Sequence, residues 1–242
     1  MKLTVVAAAA VLMSWTSLAD AKIVEVSVGA KATVGGNIWT EPSNTPPGMD
    51  IGFTRLRGGV GAGGGIYAEV RFIKYIGLEL DMFIEWNRIW EDQTWYGWWG
   101  SVKTTTKPTT VDLRIPLLVK GVLPLKGVRL GVVVGPEFVI PLRTMADIDV
   151  PAGATFDFHV ESHFRTLVTF GINIVVELPL GIELPIDFRA SYNPMQPSAW
   201  GDRVEFTNKG KPVKLGQQAD GMTVRYENSW DARMLIGLGY EF

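Results

Sequence analysis

The sequence predicts an all-β protein: a closed, eight-stranded, antiparallel up-and-down barrel that crosses a membrane. Three observations lead there. Apolar and polar residues alternate with period 2 over eight segments, the charges of those segments gather on one parity, and short and long connections follow one another in regular order. Composition excludes the competing classes. Of 242 residues, 47% are hydrophobic and 20% charged, which is too apolar for a disordered chain. There is no cysteine for a disulfide scaffold, and a net charge of -2 with a pI near 5.8 provides no overall drive toward nucleic acid. A mean hydropathy of +0.15 beside ordinary charge content requires that apolar and charged residues be finely interleaved, because no segment after the leader has 18 consecutive apolar residues.

The first 21 residues read as a secretory signal peptide. Lys2 supplies the positive start, residues 3–15 an apolar run, and Ala19-Asp20-Ala21 a small-residue cleavage site. The run is shorter than the roughly 20 residues that a spanning helix needs. Residues 22–242 are then expected to form a single barrel domain.

Eight strands are expected, in order, over residues 22–36, 62–73, 75–88, 110–121, 127–140, 165–177, 181–192 and 228–242. The third is the clearest: Ile76, Leu78, Leu80, Met82, Ile84 and Trp86 alternate with Glu79, Asp81, Glu85 and Asn87. In the seventh, Ile182, Leu184, Ile186 and Phe188 alternate with Glu183, Pro185, Asp187 and Arg189. The eighth sets Trp230, Ala232, Met234, Ile236, Leu238, Tyr240 and Phe242 against Asp231, Arg233 and Glu241. Strand thus accounts for about half of the chain after the leader, well above the roughly 20–25% of an ordinary domain. The second and third strands are separated by Lys74 alone, the fourth and fifth by residues 122–126, and the sixth and seventh by 178–180, all hairpin-sized. The connections 37–61, 89–109, 141–164 and 193–227 are long. Antiparallel strands with every other connection long place all four long connections at one end, the arrangement of membrane barrels.

The location of the charges decides the solvent. The polar parity carries Glu25, Lys31, Glu69, Arg71, Glu79, Asp81, Glu85, Asp112, Arg114, Lys120, Arg129, Glu137, Glu177, Glu183, Asp187, Arg189, Asp231, Arg233 and Glu241, twelve acidic and seven basic side chains. The opposite parity is bulky and apolar, with Trp86, Tyr192, Trp230, Tyr240 and Phe242 near strand ends, where interfacial aromatic girdles lie. Lipid therefore suits the apolar face and the lumen suits the charges. In hydrocarbon every backbone polar group must be paired, so the sheet must close. Eight strands leave an interior that side chains can fill. The nineteen inward charges are expected to pair into a luminal network, because an unpaired buried charge is costly. Pro116, Pro136 and Pro185 fall inside the strands and predict bulges or shifted boundaries there.

The chain resembles the small outer-membrane β-barrel family of Gram-negative bacteria, the OmpA/OmpX-type barrel. The likeness spans the leader, the eight strands, the alternating connections and the ending Gly237-Leu238-Gly239-Tyr240-Glu241-Phe242, in which Gly237, Tyr240 and Phe242 match the family's assembly signal. The resemblance implies outer-membrane localisation, periplasmic termini and recognition by the assembly machinery. Lipid and lipopolysaccharide become the expected surroundings.

No cofactor and no catalytic centre is predicted. His159 and His163 lie in the third long connection with Asp147, Asp149, Asp157 and Glu161, a set that could hold a divalent ion but reads first as an acidic solvated loop. Ser162 beside His163 supplies hydrolytic residue types without a spacing that fixes their geometry. Gly59-Val60-Gly61-Ala62-Gly63-Gly64 fits a dinucleotide string, yet it precedes a strand instead of opening a helix. The most distinctive surface feature is the second long connection, with Trp90, Trp95, Tyr96, Trp98 and Trp99 following Trp86. It reads as an aromatic girdle continuing into the loop base, with an exposed patch binding a surface ligand as the functional alternative. The expected role is structural or surface-interacting, with the lumen plugged. A small porin-like channel comes second, and a lipid-modifying enzyme trails.

Overall fold

The computed structural model describes residues 24–39, 51–53, 57–72, 74–89, 91–97, 100–149, 157–195, 204–208, 211–212, 221–225 and 230–242. The expected signal peptide, Trp90, Trp98 and Trp99 lie outside them. Eight antiparallel strands form the barrel: β1 (Val24–Trp39), β2 (Arg57–Phe72), β3 (Ile76–Ile89), β4 (Gly100–Leu125), β5 (Val128–Asp149), β6 (Arg165–Glu177), β7 (Ile182–Tyr192) and β8 (Trp230–Glu241). Each pairs with its sequence neighbours, and β1 closes the sheet on β8 from Ser27↔Glu241 to Ile38↔Trp230. No edge is left along the circuit, as hydrocarbon requires.

The three tight connections share one rim. Lys74 turns β2 into β3 with φ 64°, and Gly127 turns β4 into β5 with φ 77°, the left-handed conformation that glycine adopts without strain. A short 3₁₀ turn, Pro179–Gly181, joins β6 to β7. The other rim bears the long connections, and there the strands outrun the sequence pattern. β4 begins at Gly100 and β5 ends at Asp149, well beyond the expected 110 and 140. The apolar alternation stops where both faces of the ladder leave lipid, whereas backbone pairing, aided by β-prone threonines at 104–106 and 109–110, continues. Glu91–Gly97 adds to this extension by pairing with 100–106 of β4, and Ile51–Phe53 pairs with it in turn. Asp157–Glu161 runs parallel to Gly221–Arg225, which pairs with Val204–Asn208. Much of the expected loop material is therefore strand.

The bulges expected at the three prolines are not found. Pairing passes from Leu80↔Leu117 to Phe83↔Arg114 beside Pro116, from Pro116↔Glu137 to Val119↔Val134 beside Pro136, and from Glu183↔Gly239 to Ile186↔Ile236 beside Pro185. The register is unchanged across each gap. A proline lacks one donor toward one neighbour, so the ladder lapses locally while the flanking pairs hold its phase. The β4/β5 ladder instead shifts at Val111/Asp112, where Val111 pairs with Arg143 and Asp112 with Pro141, leaving Leu142 extra. This bulge falls at a proline that the alternation did not single out.

The outer wall is apolar. Along β3, every second residue from Ile76 to Met82 and on through Ile84 and Trp86 is exposed, while Gly77, Glu79, Asp81, Phe83, Glu85 and Asn87 are buried. Ten steps of about 3.4 Å, inclined by roughly 40°, give an apolar band about 26 Å tall, close to the ~25 Å of membrane barrels. Aromatics border it: Trp230 lies 4.8 Å from Tyr192 and 6.3 Å from Phe170 at one end, and Tyr240 meets Phe242 edge to face at the other. The chain is a transmembrane β-barrel.

Candidate functional site

The lumen is a packed, charged interior. Period 2 carries all nineteen predicted charges to the inner face, and all but Glu25, Glu177 and Glu241 are buried. Phe83, Leu118, Val133, Leu167 and Leu235 fill the spaces between them. Glycines on the inner face of β2 make room: a Cβ at Gly61 would stand 2.2 Å from Asn87 Oδ1, and one at Gly65 would stand 1.9 Å from the Met82 carbonyl oxygen. This glycine run, the dinucleotide-like string included, lies inside a strand and serves close approach.

The charges join in tiers from the turn-bearing rim outward. At the rim, Arg71 pairs with Glu25 at 3.1 Å and with Glu241, while Arg129 pairs with Glu177 at 2.8 Å, Glu241 at 2.7 Å and Glu183. At the waist, Glu79 receives Lys31 at 2.6 Å, Lys120 at 2.5 Å and Arg189 at 2.6 Å. Lys120 also meets Glu69 at 2.7 Å, Lys31 meets Asp187 at 2.9 Å, and Arg189 meets both Asp187 and Asp81. Above it, Arg114 donates to Glu85 at 2.7 Å, to Glu137 at 2.6 Å and to Asp231, and Arg233 donates to Glu137 at 2.5 Å. The outermost tier joins Arg165 to Asp112 at 3.0 Å.

Glu79 and Glu137 each accept several charge-assisted hydrogen bonds, the condition under which burying charge is tolerable, whereas Asp81 Oδ1 and Asp112 Oδ1 are buried without a hydrogen-bond donor. The acidic surplus is not spread along the lumen. Among the described residues nine carboxylates and eight cations are buried, and the remaining inward acids, Glu25, Glu177 and Glu241, sit at the rim. There they border a cavity of about 370 Å³, lined also by Arg71, Arg129 and Glu183.

Sequence reasoning missed several members. Arg165 stands at the first residue of its strand, inside the expected bounds 165–177 and on the inward parity, yet it is absent from the nineteen expected inward charges. Thr169 and Ser191 donate to Glu137 at 2.5 and 3.0 Å, and near the outer end Asn37 donates to Asn87, whose amide donates to the predicted Asp112. These uncharged groups obey the same parity, but a tally of charges passes over them.

Other candidates are placed differently. Ser162 Oγ accepts from Arg165 Nη1 at 3.1 Å, and His163 beside it is exposed. His159 lies in the Asp157–Glu161 strand, in register with Thr223, with its side chain outside the described residues. Trp95 and Tyr96 are described in backbone only. Trp95 is in register with Val102, nine residues along β4 from the Val111 that pairs with Trp86, or about 30 Å of extended chain. Tyr240 and Phe242 project outward, and Gly237 lies on the inner face at the waist, in register with Lys31.

No protein-family model matches the chain, and no curated protein matches it. Among solved structures it is similar to the outer membrane protein OprG of Pseudomonas aeruginosa, with 13% identity and a TM-score of 0.43 over 90% of this chain and 95% of that one. It is also similar to Neisserial surface protein A, with 10% identity and a TM-score of 0.38 over 90% and 97%, and to the Escherichia coli outer membrane protein W, with 12% and 0.33 over 88% and 98%. The barrel itself is established by this chain's own closed ladder.

Proposed function

We propose that this outer-membrane barrel is closed along its lumen and acts as a structural and surface-interaction protein, with the extended strands of its long connections as the working face. One observation carries the reading: ion pairs join opposite walls. Arg189 on β7 reaches Asp81 on β3, and Arg114 on β4 reaches Asp231 on β8, four strands away in each case. A hydrated solute would have to break such a pair, and an uncompensated buried charge costs about 3–5 kcal/mol. The reading assigns no catalytic role: Ser162 Oγ accepts from Arg165 Nη1, and hydroxyls that face a carboxylate, such as Thr169 and Ser191 on Glu137, are buried within the luminal network. Gly237, Tyr240 and Phe242 would be read by the assembly machinery, and the Trp95 and Tyr96 segment would face a surface ligand.

The test is reconstitution of the whole chain in a planar bilayer. Silence, or only brief small events, is expected. Large, stable conductance steps would overturn the plug. The acidic rim cavity favours a second reading, a narrow cation path, and small steps with strong cation selectivity would establish it instead.

A further inference from the structure

On the outward positions of the eight strands, charge is almost absent. Among the described side chains it occurs at Arg88, Lys107 and Arg143. All three are basic, all lie on the adjacent strands β3, β4 and β5, and all stand at the end that bears the long connections. Among the described side chains of the eight strands twelve carboxylates point inward and none outward, and Asp147 follows Arg143 on the outward parity with its side chain outside the described residues.

Arg88 follows Trp86 on the outer face, paired with Thr109 of β4 and Val60 of β2. Arg143 pairs with Val111, which pairs in turn with Trp86, so it lies in the row of the aromatic girdle. Its direction is a product of the bulge. Odd-numbered residues of β5 from Arg129 to Pro141 face the lumen, and unbroken alternation would send Arg143 there too. The extra residue, Leu142, reverses the phase, and Arg143 is exposed on the outer wall, the re-aiming that bulges perform. Arg88 and Arg143 have no ion-pair partner among the described residues, and Arg88 Nε is shielded from solvent without a hydrogen-bond acceptor. Lys107 is in register with Asp147, so the site is drawn on the two arginines. Around them Trp86, Val60, Leu142 and Met145 offer apolar surface.

A guanidinium pair at the upper border of an apolar band suits phosphate held at the head of a lipid. Arginine meets phosphate with paired donors, and the apolar residues beneath suit acyl chains. The long-connection end faces outward in an outer-membrane barrel, where the leaflet is built of phosphorylated glycolipid. We propose that Arg88 and Arg143 form a docking site for the phosphates of lipid A, the membrane portion of lipopolysaccharide. This rests on the outer-membrane placement above.

The whole chain, refolded into phosphatidylcholine vesicles containing either bis-phosphorylated lipid A or the same lipid with its phosphates removed, tests it by the amount of lipid A that copurifies. The wild type is expected to retain the phosphorylated form at least about tenfold better, a difference of roughly 1.4 kcal/mol. R88Q/R143Q should lose that preference and R88K/R143K keep most of it, each migrating as a folded barrel. Equal retention of both lipids by the wild type overturns the site without any variant, as does undiminished preference in a folded R88Q/R143Q. Release of lipid A by inorganic phosphate at buffer concentration would overturn the lipid assignment. Failure to insert into either vesicle would instead refute the membrane placement.

Discussion

Arg189 Nη1 donates to Asp81 Oδ2 at 2.5 Å across the full width of the barrel, joining β7 to β3. Residues 108 apart in sequence thereby become one contact, and the same guanidinium reaches Glu79 and Asp187. Arg189→Met removes one cation from three buried carboxylates. It should destabilise the barrel by about 3–5 kcal/mol in urea unfolding from vesicles. Arg189→Met with Asp81→Asn should recover part of that loss, because the pair is removed together. A double variant as unstable as the sum of the singles would show that the two residues are not coupled.

Lipid contact is tested from the outer face. Leu80 lies midway along the exposed row from Ile76 to Trp86, so Leu80→Arg should cost about 2–4 kcal/mol, and Ile76→Arg at the rim about 0–1 kcal/mol. Unfolding midpoints in vesicles measure both. Equal costs would contradict the depth assigned to the two positions.

Tyr67 is buried against two glycines. A Cβ at Gly239 would fall 1.9 Å from the Tyr67 hydroxyl, and one at Gly29 would fall 2.6 Å from its ring, while Lys31 Nζ lies 4.4 Å from the ring centre. Gly239→Ala should therefore destabilise the barrel by about 1–3 kcal/mol through overpacking. In a Tyr67→Ala background the same change should cost much less. Heat-dependent gel migration and unfolding midpoints report it, and an unchanged cost would mean that the clash lies elsewhere.

Pro136 interrupts the β4/β5 ladder on the lipid side without shifting its register. Pro136→Val supplies the missing donor, and a gain of about 1 kcal/mol in stability is expected. Slower amide exchange at Val134 and its neighbours should accompany it. A loss of stability would indicate that the strand conformation at this position depends on proline.

Local pattern determined the strand count, the face of each strand and the end that bears the long connections. Lipid outside and a polar lumen inside impose opposite demands on successive residues, and residues 76–87 record that conflict at every position but the inward Phe83. The alternation could not show where strands continue beyond lipid, because in water neither face of 100–110 needs to be apolar. Nor could it show the bulge at Leu142, which depends on how β4 and β5 meet and which turns Arg143 from the lumen to the outer wall. Partner choice was equally hidden: inward parity places Arg114 in the lumen, but only barrel closure brings Asp231 to it from the opposite wall. The acidic surplus visible in composition acquired a location in the same way. Closure balances charge at the waist, where burial makes an unpaired carboxylate costly, and leaves Glu25, Glu177 and Glu241 at the rim, where water reaches them.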